Sequence, residues 1–214
     1  VRSHERALAA TRSGAFAKQM VPITADPHDP NGPCITADEG IREHPDAEKM
    51  AGLKTVFAEN GRTTAANASQ LSDGAAALLV ADRGYAEQQG LKPRARFRAM
   101  SVAAADPVIQ FTAILEATRK ALKIAGLSVA DIDLFEVNEA FAGFPLRFQG
   151  EFAIPDAKLN VNGGSVAIGH PLGSTGARML TDLLCELERS GKKLGLQTIC
   201  EAHGTANTTI IERI

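Results

Sequence analysis

The stretch Asn160-Val161-Asn162-Gly163-Gly164-Ser165-Val166-Ala167-Ile168-Gly169-His170-Pro171-Leu172-Gly173-Ser174-Thr175-Gly176 decides how the rest of the chain is read. Five glycines and one histidine fall within these seventeen residues, after a candidate strand and before an amphipathic helix. Glycine at this density lets the backbone come close to a ligand or a neighbouring strand, and it opens φ/ψ regions closed to residues with a Cβ. A histidine embedded in such backbone is aimed rather than free. His170 is therefore read as presented to a substrate, against the plainer reading of a Gly-rich turn with an incidental histidine.

Working outward, Leu134-Phe135-Glu136-Val137 reads as a strand that delivers Asn138-Glu139-Ala140-Phe141. On the other side, Ala177 to Arg189 reads as a helix with Leu180, Leu183, Leu184 and Leu187 as its buried stripe, ended by Gly191. Two strands follow, Leu196 to Cys200 and Thr208 to Glu212, joined by Glu201-Ala202-His203-Gly204-Thr205-Ala206-Asn207. Thr112 to Ala125 carries apolar residues at helical spacing and stops at Gly126, and Ser128 is an N-cap for a brief turn. Arg94 to Ala99 alternates like a strand with Ala95, Phe97 and Ala99 on one side. Gly74 to Ala81 is an apolar run of the kind found in strands buried on both faces, and Asp82 to Gln89 is a short helix stopped at Gly90. At the start, Val1 to about Gly14 is helical with Gly14 as C-cap, and Gly61 to Asp73 is small and polar. Five prolines make Met20 to Pro45 a loop in which Cys34 is a spectator. Strands alternating with helices give an α/β layered fold.

Composition narrows the function. The 214 residues carry 44% hydrophobic and 22% charged side chains and a formal net charge of -2. No run of one sign suits a nucleic-acid partner, and no apolar stretch is long enough to span a membrane. The three cysteines, Cys34, Cys185 and Cys200, form neither a disulfide framework nor a Cys/His zinc cluster. A reducing compartment, by default the cytoplasm, fits three such thiols. The sequence opens on Val1 in mid-helix without an initiator methionine or an apolar leader, the pattern expected of a fragment or trimmed chain.

Three loops that each follow a strand offer a polar group: Asn138, His170 and Cys200. Loops of this kind are where α/β sheets collect their ligands. Singly they have plain explanations: a helix cap for Asn138, a structural imidazole for His170, a small buried hydrophobe for Cys200. Together they supply an N–H for a carbonyl oxygen or oxyanion, a thiol able to exchange a proton if a neighbour lowers its pKa, and a neutral amide that can hold a water. That set suits acyl or enolate chemistry. Phosphoryl transfer would require a P-loop lysine and Mg²⁺ carboxylates that the sequence lacks.

Asn138-Glu139-Ala140-Phe141-Ala142, the run Asn160 to Gly176 with its Gly-His-Pro, and Cys200 in a terminal strand and turn together resemble the thiolases, the acetyl-CoA acetyltransferase family. Asn67-Ala68-Ser69 followed by Asp73-Gly74-Ala75-Ala76-Ala77 is similar to that family's pantetheine-contacting stretch. The resemblance implies a layered αβαβα fold of which the chain holds the C-terminal half-domain and part of the loop domain. It implies residues 1–71 in the loop domain, 72–92 as the last strand and helix of an N-terminal domain, and 93–214 as the C-terminal domain. It further implies that His170 donates to the thioester oxygen and helps activate the nucleophile. Cys200 would move the proton at the α-carbon, and Asn138 would hold a water in the first oxyanion hole. The Ala202 N–H would serve the second hole. Ser69 would meet the pantetheine arm, and Phe141, Ala140 and Gly169 would line the substrate. Acyl-CoA and coenzyme A are the implied partners, as substrates with no separate cofactor and no metal, and the complete enzyme would be a homodimer or homotetramer.

Two departures bear on chemistry. Nothing matches the family's Cys-x-Ser/Gly-Gly nucleophile, because Cys34 and Cys185 sit in other settings. The terminal turn reads Cys200-Glu201-Ala202-His203-Gly204, where many members carry Cys-x-Gly-Gly-Gly, so His203 is expected to need φ > 0. The expectation is an acyltransferase acting on 3-oxoacyl-CoA or acetyl-CoA that is incomplete by itself. The alternative is a non-catalytic acyl-CoA-binding or scaffold half that pairs with another chain. A ketoacyl synthase relative would carry a second histidine where Cys200 stands.

Overall fold

Leu134 to Val137 is apolar except for Glu136 and too short for a helix, so it has to be covered on both faces. The computed structural model describes residues 1 to 214 and buries all four of these residues in one strand of a four-stranded sheet. In chain order the elements are α1 (Arg2–Arg12), β1 (Ile23–Thr24), β2 (Cys34–Ile35), α2 (Ala47–Ala51), α3 (Arg83–Gln88), β3 (Ala95–Ala104) and α4 (Ala113–Ala125). They continue with β4 (Leu134–Val137), α5 (Gly143–Phe152), α6 (Ser165–Ile168), α7 (Thr175–Arg189), β5 (Leu194–Cys200) and β6 (Thr205–Arg213).

The main sheet runs β3-β6-β5-β4; β4 and β5 are parallel, and the other neighbours are antiparallel. Phe135 and Val137 point to one side, where Ala113, Ile114, Ala117 and Ala121 of α4 pack with Phe144 and Phe148 of α5. Leu134 points to the other side, against Leu183 and Leu187 of α7. Helices thus cover both faces. The small residues of α4 let it sit close to the sheet, and its end is fixed by Gly126 at φ 66. Phe148 is fully buried and packs against Phe135 with ring centroids 6.0 Å apart.

Several sequence expectations change in the folded chain. Gly74 to Ala81 forms no strand, and Leu79 and Val80 are 85% and 64% exposed. A strand needs a hydrogen-bonding neighbour, and this segment pairs with neither sheet of the chain. Phe97 does not share a face with Ala99. A register shift between them inserts Arg98 as an unpaired residue, which turns Phe97 outward while Ala99 and Ser101 stay buried. The proline-rich loop holds a short antiparallel ribbon that pairs Ile23 with Ile35 and Thr24 with Cys34. On α7 the buried stripe is Met179, Leu183 and Leu187, whereas Leu180 and Leu184 are only half-buried. No helix is long and apolar enough to cross a membrane.

Candidate active site

Parallel pairing sets Val137 opposite Thr198, so β4 and β5 end at the same edge of the sheet, and Asn138 N–H continues the ladder to Thr198 O at 3.0 Å. The two strands release Asn138 and Cys200 there, the edge at which α/β sheets gather ligands. Asn138 caps no helix, because α5 starts five residues later behind Ala142. His170 arrives from the connection between α6 and α7. Asn138 Nδ2 lies 3.2 Å from His170 Nε2 and 3.9 Å from Cys200 Sγ. The amide, the imidazole and the thiol named from sequence therefore meet at one place.

Side-chain hydrogen bonds hold these loops together. Asn160 Nδ2 donates to Val137 O and Glu139 Oε1, while its Oδ1 accepts from Val137 N–H. Glu139 is buried and its Oε2 accepts from Ser3 Oγ at 2.6 Å and from Val166 N–H at 3.1 Å. A Cβ at Gly164 would stand 2.5 Å from Glu139 Cδ, so the glycine is what admits the carboxylate. Gly169, at φ 87, lets the chain pass Ser72 and turn into His170.

The segment Asn67 to Ser72 runs across the same edge. Ala68 and Phe141 form an isolated antiparallel bridge, Ser69 N–H donates to Ala140 O at 2.9 Å, and Ala142 N–H donates to Asn67 O at 2.8 Å. His170 N–H reaches Gln70 O at 3.3 Å, and Gln70 Nε2 donates to Gly40, Val166 and Ala167 carbonyls. Ser69, Ala140, Phe141, Gly169 and His170 consequently share one neighbourhood. Phe141 packs edge-on to Phe57 with centroids 5.7 Å apart. Ala202 opens a single 3-10 turn, whose first N–H has no partner within the turn. Next to it His203 adopts φ 59, ψ 33, the left-handed conformation expected of the residue that replaces glycine.

Electrostatics refine the chemistry. Burial, aided by the Arg178 charge, lowers the His170 pKa, so the ring is neutral at pH 7. Burial pushes the Cys200 thiol up to about 11 against the opposing Asn138 hydrogen bond. The lowering neighbour considered from sequence is present as the Asn138 donor, but burial outweighs it and the Glu201 charge raises the pKa further. Cys200 rests as a thiol. Behind the site, Glu136 is fully enclosed and held well above the usual carboxylate range by burial and by Asp182, while burial raises Asp182 to about 6 against the pull of Arg178.

Sequence reading missed two features. Ser165, Thr175 and Arg178 bond into the Asn138–His170 pair from α6 and α7. A cavity of about 550 Å³ is lined by His4, Arg42, His44, Asp46, Lys49 and Gln70, beside the Ser69 segment. Arg42, His44 and Lys49 lie in and just beyond the proline-rich segment, where their spacing carries no periodic signal, and His4 comes from α1.

Comparison with known proteins agrees with this geometry. The family model "Thiolase, C-terminal domain" matches residues 91–213, and "Thiolase, N-terminal domain" matches residues 1–84. The chain is 50% identical over 212 residues to the steroid 3-ketoacyl-CoA thiolase FadA6 of Mycobacterium tuberculosis, covering 99% of this chain and 50% of that protein. It is 46% identical over 220 residues to a 3-ketoacyl-CoA thiolase of Shewanella frigidimarina, covering 100% and 56%. Among solved structures, the acetyl-CoA acetyltransferase of Bacillus anthracis superposes with a TM-score of 0.94 at 41% identity, covering 100% of this chain and 54% of that one. The human mitochondrial 3-ketoacyl-CoA thiolase in complex with CoA gives 0.90 at 34% identity, covering 100% and 53%. The chain spans about half the length of the curated relatives it matches.

Proposed function

The chain belongs to the thiolase family, and from that premise we propose that it forms the proton-handling and coenzyme A-binding side of an acyl-CoA acyltransferase site. The observation that carries this reading is that Asn138 Nδ2 lies 3.2 Å from His170 Nε2 and 3.9 Å from Cys200 Sγ. In thiolysis of a 3-oxoacyl-CoA, a thiolate attacks the 3-carbonyl and the C2–C3 bond breaks. The electron pair stays on C2 as an enolate, which takes its proton from Cys200. Resting as a thiol, Cys200 starts in the proton-giving state. Condensation runs the same transfer in reverse, with Cys200 receiving the α-proton. His170 Nε2 accepts the proton of the attacking thiol and then, as N–H, holds the developing oxyanion, and an Asn138-held water shares that charge. The Ala202 N–H serves the second oxygen. Phe141, Ala140 and Gly169 line the acyl group.

Coenzyme A would enter along Ser69, with its phosphates toward Arg42 and Lys49 in the adjoining cavity. The thioester is the substrate in this scheme, and all acid and base groups come from the chain, with no separate cofactor. Oligomerisation as a homodimer or homotetramer and a cytoplasmic location belong to the same proposal. The location is supported by three unpaired thiols. Cys34 lies exposed on the ribbon and Cys185 is buried on α7 beside Arg94, so neither stands at the acyl site as a nucleophile. That observation favours a second reading for a polypeptide of these 214 residues, as an acyl-CoA binder that does not complete acyl transfer. Isothermal titration with acetyl-CoA tests the common core of both readings. Saturable binding weakened by Arg42→Ala supports it, and no heat at millimolar ligand contradicts it.

A further inference from the structure

The hydrogen bonds behind Asn138 run in one direction. Arg178 can only donate, so Ser165 Oγ accepts from Arg178 Nη2 at 3.1 Å. The single Ser165 proton then goes to Asn138 Oδ1 at 2.9 Å. With its oxygen engaged, Asn138 can show His170 only its NH₂ group, 3.2 Å from Nε2, and an NH₂ donor needs a lone pair there. At the far end Thr175 spends its own proton on Pro171 O at 2.8 Å, so at 2.7 Å from His170 Nδ1 it has to accept. The Pro171 carbonyl at one end fixes this polarity, and the guanidinium at the other end, by filling a lone pair of Ser165 Oγ, favours the hydroxyl as donor to Asn138. Arg178 itself is held by Asp182 Oδ2 at 2.9 Å.

We propose that Ser165 and Arg178 are positioning residues which, through the Asn138 amide, keep the His170 proton on Nδ1 and leave Nε2 unprotonated at the acyl site. This deepens the acyl-CoA reading and rests on it for the purpose of the tautomer. A neutral imidazole must keep Nε2 unprotonated if it is to take the proton of an attacking thiol, which displaces the Asn138 N–H from the lone pair, and the opposite tautomer would start as a donor unable to accept. The relay acts before substrate arrives, because every atom in it belongs to the protein. Ser165 and Asn138 are buried, so water does not compete for their bonds.

The test is the ring tautomer of His170 in the 214-residue protein without ligand, read by long-range proton–nitrogen correlation on histidine-labelled protein at about pH 8, above the ordinary histidine range. His170 is assigned by the signals lost in His170→Gln. The unaltered protein is expected to show Nδ1–H only. Ser165→Ala removes one buried hydrogen bond of the relay and is expected to lower the ratio of Nδ1–H to Nε2–H by about fivefold. Ser165→Thr keeps the hydroxyl and is expected to restore the original spectrum, which loss of packing alone would not explain. Arg178→Met is expected to act in the same direction as Ser165→Ala. If Arg178→Met fails to fold, Ser165→Ala, which deletes one oxygen atom, decides the matter. An Nε2–H form in the unaltered protein, or an unchanged ratio in folded Ser165→Ala, overturns the proposal. Acetyl-CoA takes no part in the measurement, so failure here leaves the binding test standing, and failure to bind leaves the tautomer result standing.

Discussion

Replacing Gly164 by alanine tests how the glycine-rich stretch grips the loop after β4. Gly164 lies at φ -163, an extended conformation open to any residue, so the cost of a side chain there is steric alone. The new Cβ would sit 2.5 Å from Glu139 Cδ and 2.7 Å from Oε2. Ordinary carbon–carbon contact needs about 3.5 Å, so the carboxylate has to retreat by about 1 Å. That movement carries Oε2 out of reach of Ser3 Oγ and Val166 N–H, now at 2.6 and 3.1 Å. Hydrogen bonds to a charged acceptor contribute about 1.5–3 kcal/mol each. With two lost and part of the strain relaxed, Gly164→Ala should destabilise the protein by about 3 kcal/mol, roughly 6–12 °C in Tm for a chain of this size. Urea unfolding followed by circular dichroism measures it. The same substitution in a Glu139→Ala background, where the obstructing carboxylate is gone, should cost less than about 0.5 kcal/mol. An equal cost in both backgrounds would refute the contact as the cause.

Four shorter expectations follow from the same geometry. Alkylation of Cys200 should rise with pH along a curve centred near 11, well above the range of an ordinary thiol, because burial disfavours the thiolate; a midpoint near 8.5 would contradict it. Glu212 is held down to about 2 by hydrogen bonds from Arg98, Arg96 and Lys193. A depressed carboxyl pKa stabilises the fold fully above the unfolded value near 4.3 and progressively less as pH falls toward 2. Glu212→Gln should therefore lower stability at neutral pH and flatten its pH dependence across that window, as read from urea midpoints. His203→Gly removes a side chain from φ 59 and should raise stability by about 0.5–1 kcal/mol, and a loss in the urea midpoint would argue against strain there. Phe148→Ala empties a fully buried position between α5 and β4 and should cost about 3–5 kcal/mol, and a cost below 1 kcal/mol would mean the site collapses without a cavity.

Much of this architecture could be read before any coordinates. Strand β4 has the limits that its apolar run suggests, and α4 ends at the glycine that closes its periodic pattern. Both signals are local, which is why they survive folding. What could not be read depends on partners distant in sequence. The apolar run Gly74 to Ala81 looks like a strand, but a strand exists only by pairing, and this run pairs with neither sheet. The bulge at Arg98 is invisible to alternation because it is the alternation that breaks. At the site, Asn138, His170 and Cys200 stand out as polar groups at strand ends, whereas Ser165 and Arg178 look like an ordinary loop serine and helix arginine. Their role arises because α7 folds back beside α6, thirteen residues apart in sequence and 3.1 Å apart in space.

The most direct test of the shared acyl site is the rate at which Cys200 is alkylated with and without acetyl-CoA, with exposed Cys34 in the same molecule as the internal reference. Mass spectrometry of the two peptides after a short pulse of iodoacetamide at alkaline pH gives both rates at once. If the amide, imidazole and thiol close around one acyl group, saturating acetyl-CoA slows Cys200 severalfold and leaves Cys34 unchanged. Equal rates at Cys200 with and without a ligand shown to be bound would contradict the account.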